Sequence, residues 1–323
     1  MRAFGGIFGL QRQPPLTALL EDFEAEMLLT AGRTHARRTV RAVRRFLWTA
    51  AIRCPDDITA AVVRAFLTGL SGRSAKTLLN YRSAISRFCE FLRERSLLAG
   101  NPCRQVRLAP IERRPPRFLE DHEIQEVLKL AADAGIWAEV ALALATGLRL
   151  SEMVRLRWED VDFHRRCLLV RRSKSRRPRV VPLSSLALRA LEAQYRLSGR
   201  FDYVFPARQA WRGGCRYLNR PRPANRWLEA LKPIQEAIPK FRTLPGRCIG
   251  RGWHLFRHTF ASKLAQAGVS LYKIAAWLGH SDIRTTQIYA HLQVGYDSEI
   301  EAAALVQATP AVAEGDASCP IHN

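Results

Sequence analysis

A stretch rich in proline and arginine, GNPCRQVRLAPIERRPPR at residues 100–117, divides this chain of 323 residues. It contains four prolines and shows no helical or strand periodicity, which is typical of an extended linker. The chain is long enough for roughly two domains, each with its own core. We therefore expect a first domain over residues 10–100, a basic linker over 101–117, a second domain over 118–300 and a tail over 301–323.

Positive charge is spread over both parts of the chain. There are 51 Lys and Arg residues against 29 Asp and Glu, which gives a formal net charge of +22. Residues 1–100 hold 16 of the basic and 8 of the acidic residues, and residues 101–323 hold 35 and 21. Because a nucleic acid is bound chiefly through its phosphates, this distribution predicts that both domains contact a polyanion.

The seven cysteines form no CxxC pair and their number is odd, so neither a zinc ribbon nor a complete disulfide framework is indicated. Reduced thiols in a cytoplasm are the simplest interpretation. The N-terminal FGGIFGL is too short for a signal peptide, and the apolar run VALALATGL falls far below a membrane span. The sequence predicts a soluble cytoplasmic protein that is associated with the nucleoid.

The first domain is predicted to be all helical. In RTHARRTVRAVRRFLW and in SAKTLLNYRSAISRFCEFLRERS, apolar residues recur at helical spacing while polar and basic residues line another face. The apolar stripes are Ala36, Val40, Val43 and Leu47 in the first helix and Leu78, Tyr81, Ile85, Phe88 and Leu92 in the second. The opposite faces are either contacts for DNA phosphates or simple solvated surfaces. Their candidate DNA-binding residues are Arg37, Arg41, Arg44, Lys76, Asn80 and Arg87.

The second domain has a mixed pattern. Two helical segments precede RCLLVRRSKSRRPRVVPL, which predicts strands at Cys167–Arg171 and Arg179–Leu183 around a polar turn. Further helices are predicted at 184–197, 224–237, 257–267, 271–278 and 283–290. The predicted fold class is therefore mainly α, with a small antiparallel β-sheet in the second domain.

Three motifs in the second domain carry residues suited to phosphate chemistry. TGLRLSEM lies at the turn between a buried and an amphipathic helix, and RGWHLFRHTFA and LGHSDIRTTQIYAHL follow it. In order they supply Arg149, Glu152, His254, Arg257, His280 and Tyr289. His280 follows Arg257 by 23 positions, and Tyr289 follows His280 by 9.

With Lys174 at the tip of the predicted hairpin, ahead of VPL, these motifs resemble those of the tyrosine recombinases, the phage-integrase superfamily. Five features in a fixed order are far more specific than any single short match: TGLR–SE, the hairpin lysine ahead of VPL, HLFRHTFA, LGH and the tyrosine that follows it. The resemblance covers nearly the whole chain. It implies a helical core-binding domain of SAM-like fold followed by a tyrosine-recombinase catalytic domain.

The resemblance also implies a function and partners. The expected activity is site-specific recombination of the kind that mobile genetic elements use, through a 3′-phosphotyrosyl intermediate and a Holliday junction. Whether the task is integration, excision, dimer resolution or transposition stays open. The expected assembly is a homotetramer on double-stranded DNA with inverted-repeat core sites. No cofactor is implied, neither metal nor ATP, and no membrane. Whether accessory DNA-bending proteins take part stays open.

Each motif residue has an implied role in breaking a phosphodiester. That chemistry needs a nucleophile, cationic donors for the non-bridging oxygens and an acid for the leaving 5′ oxygen. Tyr289 fits the nucleophile. Arg149 and Arg257 fit a phosphate clamp, because a guanidinium donates two parallel hydrogen bonds and stays charged. The other implied roles are acid for Lys174, assistance in proton transfer for His254, hydrogen bonding to the phosphate for His280 and support for Glu152. Two hairpin arginines complete the DNA-binding candidates, Arg172 and Arg176.

Several alternatives are weaker. A zinc site at His254, His258, His280 and His291 lacks the glutamate of the metalloprotease pattern, since Leu255 follows the first histidine. We expect His258 to form a hydrogen bond in the core, and His291 and Tyr296 to be structural. For the whole chain, a type IB topoisomerase-like nicking and closing activity is the alternative function, followed by a catalytically silent DNA-binding regulator.

Two segments stay ambiguous. Residues 206–252 are rich in proline, glycine and arginine and longer than a compact family member requires, and we favour an added DNA-contacting loop over a loop without a defined role. The C-terminal segment either docks on a neighbouring protomer through Ile300, Ala304 and Leu305 or is a disordered tail after Ala308.

Overall fold

The computed structural model describes residues 14–110, 115–171, 178–211, 214–242 and 251–293. The chain divides into two compact units, Met1–Arg113 and Arg114–Asn323. Each unit has a hydrophobic core of its own. The predicted fold class is confirmed, because helices dominate and the strands form only small antiparallel sheets. Among the described helices, none is both long and apolar enough to cross a bilayer.

The first unit is built from α-helices joined by short connections. They are α1 (Leu16–Thr30), α2 (Arg33–Thr49), α3 (Ala60–Thr68) and α4 (Ala75–Glu94), with a 3₁₀ turn at Pro55–Asp57. The predicted apolar stripes face the core: Val43, Ile85, Phe88 and others on α2 and α4 are fully buried. Ser74 is the N-cap of α4, and its hydroxyl accepts a hydrogen bond from the backbone N–H of Thr77.

The beginning of the predicted linker differs from the expectation. Residues 101–106 pack on the first unit, where Pro102–Gln105 form a 3₁₀ turn and Cys103 and Val106 are buried in its core. The Asn101 side chain donates to Ser86 and Glu90 and accepts from the backbone N–H of Cys103. Two buried apolar side chains and one satisfied amide therefore hold a segment whose composition suggests an extended chain.

The second unit is a helical assembly with two small sheets. Its helices are α5 (Asp121–Asp133), α6 (Trp137–Thr146), α7 (Leu150–Met153), α8 (Ser185–Ser198), α9 (Ala224–Ala237), α10 (Pro239–Arg242), α11 (Arg251–Gln266) and α12 (Leu271–Leu278). Its strands are β1 (Val161–Asp162), β2 (Cys167–Val170), β3 (Arg179–Pro182), β4 (Pro206–Trp211) and β5 (Gly214–Pro221). The 3₁₀ segments are Trp158–Asp160, Ile283–Thr285 and Gln287–Leu292.

The predicted hairpin is confirmed. Strands β1, β2 and β3 form one antiparallel sheet, with Cys167 opposite Pro182 and Val170 opposite Arg179. Side chains alternate along β3, so that Arg179 and Val181 point into the core while Val180 points to solvent. The tip of this hairpin, residues 172–177, lies outside the described residues.

Two predictions about local structure need correction. Residues 206–221 form a second antiparallel hairpin, β4–β5, and not an irregular loop. Its prolines, glycines and exposed arginines hide the strand pattern, because the buried residues lie at one end, at Pro206 and Ala207, among those whose burial the structure describes. Residues 283–290 are 3₁₀ turns and not an α-helix: Thr286 and Tyr289 bond to carbonyls three residues back, at Ile283 and Thr286.

Helix α6 lies at the centre of the second unit and ends at a glycine. Its residues from Glu139 to Leu144 are all buried. Gly147 follows in the left-handed conformation, with φ +60°, and its N–H closes the last turn on Ala143. A side chain at this position would meet Phe260 of α11 and Leu278 of α12. Gly147 therefore allows three helices to approach one another beside the TGLR motif.

We expect Gly147→Ala to destabilise the second unit more than Gly268→Ala does. An added Cβ at Gly147 would lie 2.4 Å from Cδ1 of Phe260. At Gly268, where φ is +74°, an added Cβ would have no described atom within 4 Å apart from those of its chain neighbours. Gly268→Ala should cost about 1–2 kcal/mol for the left-handed conformation alone. At Gly147 the clash should add a further cost of about 1–3 kcal/mol. Urea unfolding measures both, since six of the seven tryptophans lie after residue 113. If both variants lose the same free energy of unfolding, the Phe260 side chain moves aside without an energetic cost.

Candidate active site

The first element of the site is the turn after α6. Arg149 occupies the N-cap of α7, and its backbone N–H donates to Oε2 of Glu152 at 2.9 Å. Its guanidinium donates from Nη1 to Oε1 of the same carboxylate at 3.0 Å and from Nη2 to the Gly279 carbonyl at 3.3 Å. Arg149 is therefore fixed at its backbone and at both ends of its guanidinium, while its side chain stays partly open to solvent.

Glu152 joins two arginines from different elements. Besides Arg149 it binds Arg179 of β3, which donates to Oε1 at 3.0 Å and to Oε2 at 2.7 Å. Burial opposes the charge of this carboxylate. The hydrogen bonds and charge of Arg179, with a smaller contribution from Arg149, outweigh burial and lower the pKa of Glu152 below its usual value.

Arg179 is a site residue that the sequence motifs did not identify. It is buried, and its Nε also donates to the carbonyl of Trp277 at the end of α12. One signal was present in the sequence: Arg179 stands in phase with Val181 and Leu183 on the inward side of a predicted strand. A charged residue in phase with core residues indicates a buried partner of opposite charge.

Arg257 lies on α11 in the interior of the unit. It donates from Nη1 to the Gly147 carbonyl at 2.7 Å and from Nη2 to the Leu278 carbonyl at 2.6 Å. Burial and the charge of Arg149 lower the pKa of Arg257 to about 9, so its guanidinium is still charged at neutral pH. These two bonds place Arg257 between the C-terminal ends of α6 and α12.

Two histidines of the motifs are influenced by the charges of these arginines. His280 follows α12, and its Nδ1 is hydrogen-bonded to Oγ1 of Thr286 at 2.8 Å. Burial, then the charges of Arg257 and Arg149, lower its pKa to about 4. His254 on α11 keeps access to solvent, yet lost hydration around its ring and the same two arginines lower its pKa as well. Both rings are therefore neutral at pH 7.

Tyr289 lies in the core formed by α11, α12 and the following 3₁₀ turns, and only 2% of its surface is exposed. Its hydroxyl is 2.6 Å from Nδ1 of His258. Burial raises the pKa of Tyr289 to about 12, against the opposing charge of Arg257. The expected hydrogen bond of His258 thus exists, and its partner is the tyrosine of the last motif.

The remaining sequence candidates divide into two groups. Lys174, Arg172 and Arg176 lie outside the described residues, as do Tyr296, Ile300, Ala304 and Leu305. The first-unit candidates are exposed side chains on α2 and α4, namely Arg37, Arg41, Arg44, Lys76, Asn80 and Arg87. Arg87 is bonded to His35 at 2.7 Å, and Arg44 lies 4.0 Å from Glu24. The described residues contain no group of three or more His, Cys, Asp or Glu side chains arranged to hold a metal ion.

The charges in this site do not balance. Arg149, Arg179 and Arg257 converge, and Glu152 is the carboxylate that contacts two of them. Each of the other groups, His254, His280 and Tyr289, is neutral at pH 7 by its pKa. The cluster therefore has an excess of two positive charges among its described members, which suits the binding of an anion such as a phosphodiester.

Comparisons with known proteins agree on one family. The pattern of the phage integrase family matches residues 117–295. Tyrosine recombinase XerC of Xylella fastidiosa (strain M23) is 32% identical over 302 residues, which cover 90% of this chain and 97% of that protein. Tyrosine recombinase XerC of Bacillus licheniformis is 30% identical over 263 residues, which cover 77% and 81%.

Solved structures show the same fold. The Tn1549 transposon integrase in complex with transposon right end DNA has a TM-score of 0.64 at 18% identity, over 90% of this chain and 99% of that one. A lambda integrase tetramer bound to a Holliday junction has a TM-score of 0.65 at 21% identity, over 89% and 80%.

We expect Arg179→Met to destabilise the second unit by about 3–5 kcal/mol, because it leaves the buried Glu152 with one cation fewer. A matched control is Arg226→Met, which breaks the exposed pair of Arg226 and Glu229 and should cost less than about 1 kcal/mol. Urea unfolding followed by tryptophan fluorescence measures both variants.

The same measurement should depend on pH. A depressed carboxylate pKa contributes stability that is present above the ordinary value of 4.5 and lost as pH falls through the folded value. The penalty of Arg179→Met should therefore be constant near neutral pH and shrink below pH 4.5. A penalty that does not change with acid would show that Arg179 contributes packing and not charge.

Proposed function

Because the chain belongs to the phage integrase family of tyrosine site-specific recombinases, we propose that it cuts and rejoins DNA strands through a covalent bond to Tyr289. The observation that carries this proposal is the convergence of the three motifs on helix α11. There Arg257 donates to the carbonyls of Gly147 and Leu278. The next residue, His258, is hydrogen-bonded to the hydroxyl of Tyr289. A tyrosine held against the same helix that carries a buried, charged arginine is suited to attack a phosphate that the arginine holds.

In this proposal Tyr289 replaces the 5′ oxygen at phosphorus. The O–P bond to the tyrosine forms as the bond to the 5′ oxygen breaks, which leaves a 3′-phosphotyrosyl link and a free 5′ hydroxyl. Since the link retains the energy of a phosphodiester, a 5′ hydroxyl restores the DNA backbone by the reverse attack. Neither step consumes ATP, and the residues named here supply the chemistry without a metal ion.

Arg149 and Arg257 would hold the phosphate. The bonds to Gly147, Leu278 and Gly279 leave other N–H groups of each guanidinium free to donate, since each carries five. Preorganised cations stabilise the charge that develops on the non-bridging oxygens without reorientation during the reaction. Glu152 supports Arg149 directly, and Arg179 supports Glu152.

The proton donors complete the assignment. Lys174 would protonate the leaving 5′ oxygen, as the family resemblance implies. His280 would donate to the phosphate from Nε2: when the Thr286 hydroxyl donates to its Nδ1, the neutral ring carries its proton on Nε2. His254, which keeps access to solvent, would assist proton transfer beside the phosphate.

The first unit would bind the duplex through its backbone. The exposed basic faces of α2 and α4 fit phosphate contacts that carry no sequence information. We assign core binding to residues 10–100 and catalysis to 118–300. A homotetramer on inverted-repeat sites, exchanging strands through a Holliday junction, fits the shared fold of the lambda integrase tetramer bound to such a junction. The hairpin β4–β5, with exposed Arg208, Arg216 and Arg220, would extend the contact with DNA.

Covalent capture tests the proposed chemistry. The protein, Tyr289→Phe and Tyr272→Phe are mixed with fragments of the source genome, the reaction is stopped with detergent, and DNA that stays attached to protein is sequenced. Tyr272 is a matched control because it is 77% exposed on the same unit. We expect the protein and Tyr272→Phe to retain one short inverted-repeat sequence and Tyr289→Phe to retain none.

Other outcomes of the capture have definite meanings. Attachment by Tyr289→Phe would remove Tyr289 as the nucleophile. Non-covalent binding without attachment by any variant would favour a DNA-binding regulator. Attached DNA without a shared sequence, together with relaxation of supercoiled plasmid, would favour the topoisomerase-like activity.

The basic face of α2 is tested by salt dependence. Among the described residues, no carboxylate pairs with Arg37 or Arg41, whereas Arg93 and Arg104 both pair with Glu90. Affinity for a short duplex of random sequence is measured against salt concentration. Each lost phosphate contact should reduce the slope of log K against log salt by about 0.9, so Arg37→Ala/Arg41→Ala should reduce it by about 2. Arg93→Ala/Arg104→Ala removes the same charge and should change it little. Equal changes would show that only net charge matters.

A further inference from the structure

His254 and His258 lie one helical turn apart on α11, and of the two only His258 contacts Tyr289 among the described residues. His258 is half-buried and has Nδ1 at 2.6 Å from the phenol oxygen. His254 is exposed, and within the described part of the chain no hydrogen bond joins it to Tyr289. The two imidazole rings are 5.9 Å apart, edge to face. The sequence motif contains both histidines, but it is His258 that forms the hydrogen bond with the phenol.

Burial fixes the direction of this hydrogen bond. Burial, then the nearby His254 and the charge of Arg257, lower the pKa of His258 to about 4, so the ring is neutral at pH 7. The phenol of Tyr289, with its pKa raised to about 12, keeps its proton. If Nδ1 carried the ring proton and donated it, the phenol proton would have no acceptor among the described residues. A buried donor without a partner costs about 1–3 kcal/mol. The phenol therefore donates to Nδ1, and the ring proton is on Nε2.

We propose that His258, and not His254, accepts the proton of Tyr289 when the phenol attacks the phosphate, and returns it when the strand is rejoined. This assignment rests on the proposed function. As the bond from oxygen to phosphorus forms, the phenolic O–H breaks and its proton moves to Nδ1, while the leaving 5′ oxygen takes a proton from the separate acid. In the reverse step the departing tyrosine oxygen takes the proton back from Nδ1.

The position of His258 suits this role better than its basicity alone suggests. A base must first lie within hydrogen-bond distance of the proton that it takes, and His258 already does. Because its resting pKa is low, the ring is unprotonated throughout the neutral range and is always able to accept. The phenol becomes a far stronger acid as its oxygen bonds to phosphorus. A phosphate on Arg257 also offsets the positive charge that disfavours an imidazolium, so the proton is accepted only when DNA is bound.

A pair of substitutions distinguishes proton transfer from positioning. His258→Asn keeps a polar side chain able to bond to the phenol but has no basic nitrogen, and His258→Phe has neither property. The rate of covalent attachment is measured in a single turnover on the duplex recovered by the Tyr289-dependent capture. Both variants should be slower by at least about 100-fold, within the usual range for general base catalysis. The control is His291→Phe, an exposed histidine on the same 3₁₀ segment as Tyr289, which should react at the normal rate.

A more acidic phenol provides the decisive rescue. Replacing Tyr289 by 3,5-difluorotyrosine lowers the need for a base, because this phenol ionises near neutral pH. We expect this replacement to increase the rate of covalent attachment by His258→Asn at least about tenfold. In the protein that keeps His258, the same replacement should change the rate far less. Far-ultraviolet circular dichroism and urea unfolding verify that each variant is folded.

Three outcomes would overturn the assignment. A normal rate in His258→Asn and slow attachment in His258→Phe would make His258 a positioning residue only. If both variants attach slowly and difluorotyrosine does not restore the rate in His258→Asn, the role of His258 is structural. Unchanged rates in both variants would remove it from the reaction. If the unmodified protein forms no Tyr289-dependent link in the first place, the proposed function itself fails, and this assignment fails with it.

Discussion

The buried carboxylate of Glu152 is the group on which the arrangement of the site depends. It binds Arg149 of its own turn and Arg179 of β3 through four hydrogen bonds to side chain and backbone. A buried charge that loses its partner costs about 3–5 kcal/mol, so these elements are held together as a unit. Since Arg179 also binds the carbonyl of Trp277, the end of α12 is fixed to the same carboxylate.

The arginines of the site also bind backbone carbonyls at the ends of two helices. The last carbonyls of a helix have no partner within it, and they carry partial negative charge. Here guanidinium groups bind four such carbonyls, at Gly147 after α6 and at Trp277, Leu278 and Gly279 around the end of α12. The left-handed glycines at 147 and 279 turn the chain away, and a side chain at either would meet neighbouring side chains. The hydrogen bonds that satisfy these helix carbonyls therefore also fix the positions of the guanidinium groups.

The sequence predicted much of this because the motifs are local. Helix stripes and the β2–β3 hairpin follow from periodicity, and Arg149, Arg257 and Tyr289 stand in short segments of recognisable type. The motifs did not include Arg179 or the partner of His258, because these contacts join residues that lie 27 and 31 positions apart in the sequence. The phase of Arg179 within the predicted strand was the one local signal of its burial. The β4–β5 hairpin was obscured because arginines occupy its exposed positions, where strand formers would have marked it. The roles of the motif residues, and the domain boundaries, stay predictions.

The cations of the site disfavour one another's charged forms, and this would link the binding of a phosphate to proton transfer. Burial and then the charge of Arg149 lower the pKa of Arg257, and burial and then the charges of Arg257 and Arg149 lower the pKa of His254 and of His280. An anion at this point would offset the part of each shift that the cations cause, because an opposite charge favours the protonated form of a base. A phosphodiester would therefore both fill the cation cluster and raise the proton affinity of the neighbouring imidazoles. For the buried phenol of Tyr289, burial raises the pKa and the charge of Arg257 opposes this shift. In the proposed mechanism, the residues that would hold the phosphate and those that would transfer protons are coupled through Arg257, and the site would become a better acceptor of the tyrosine proton only with DNA bound.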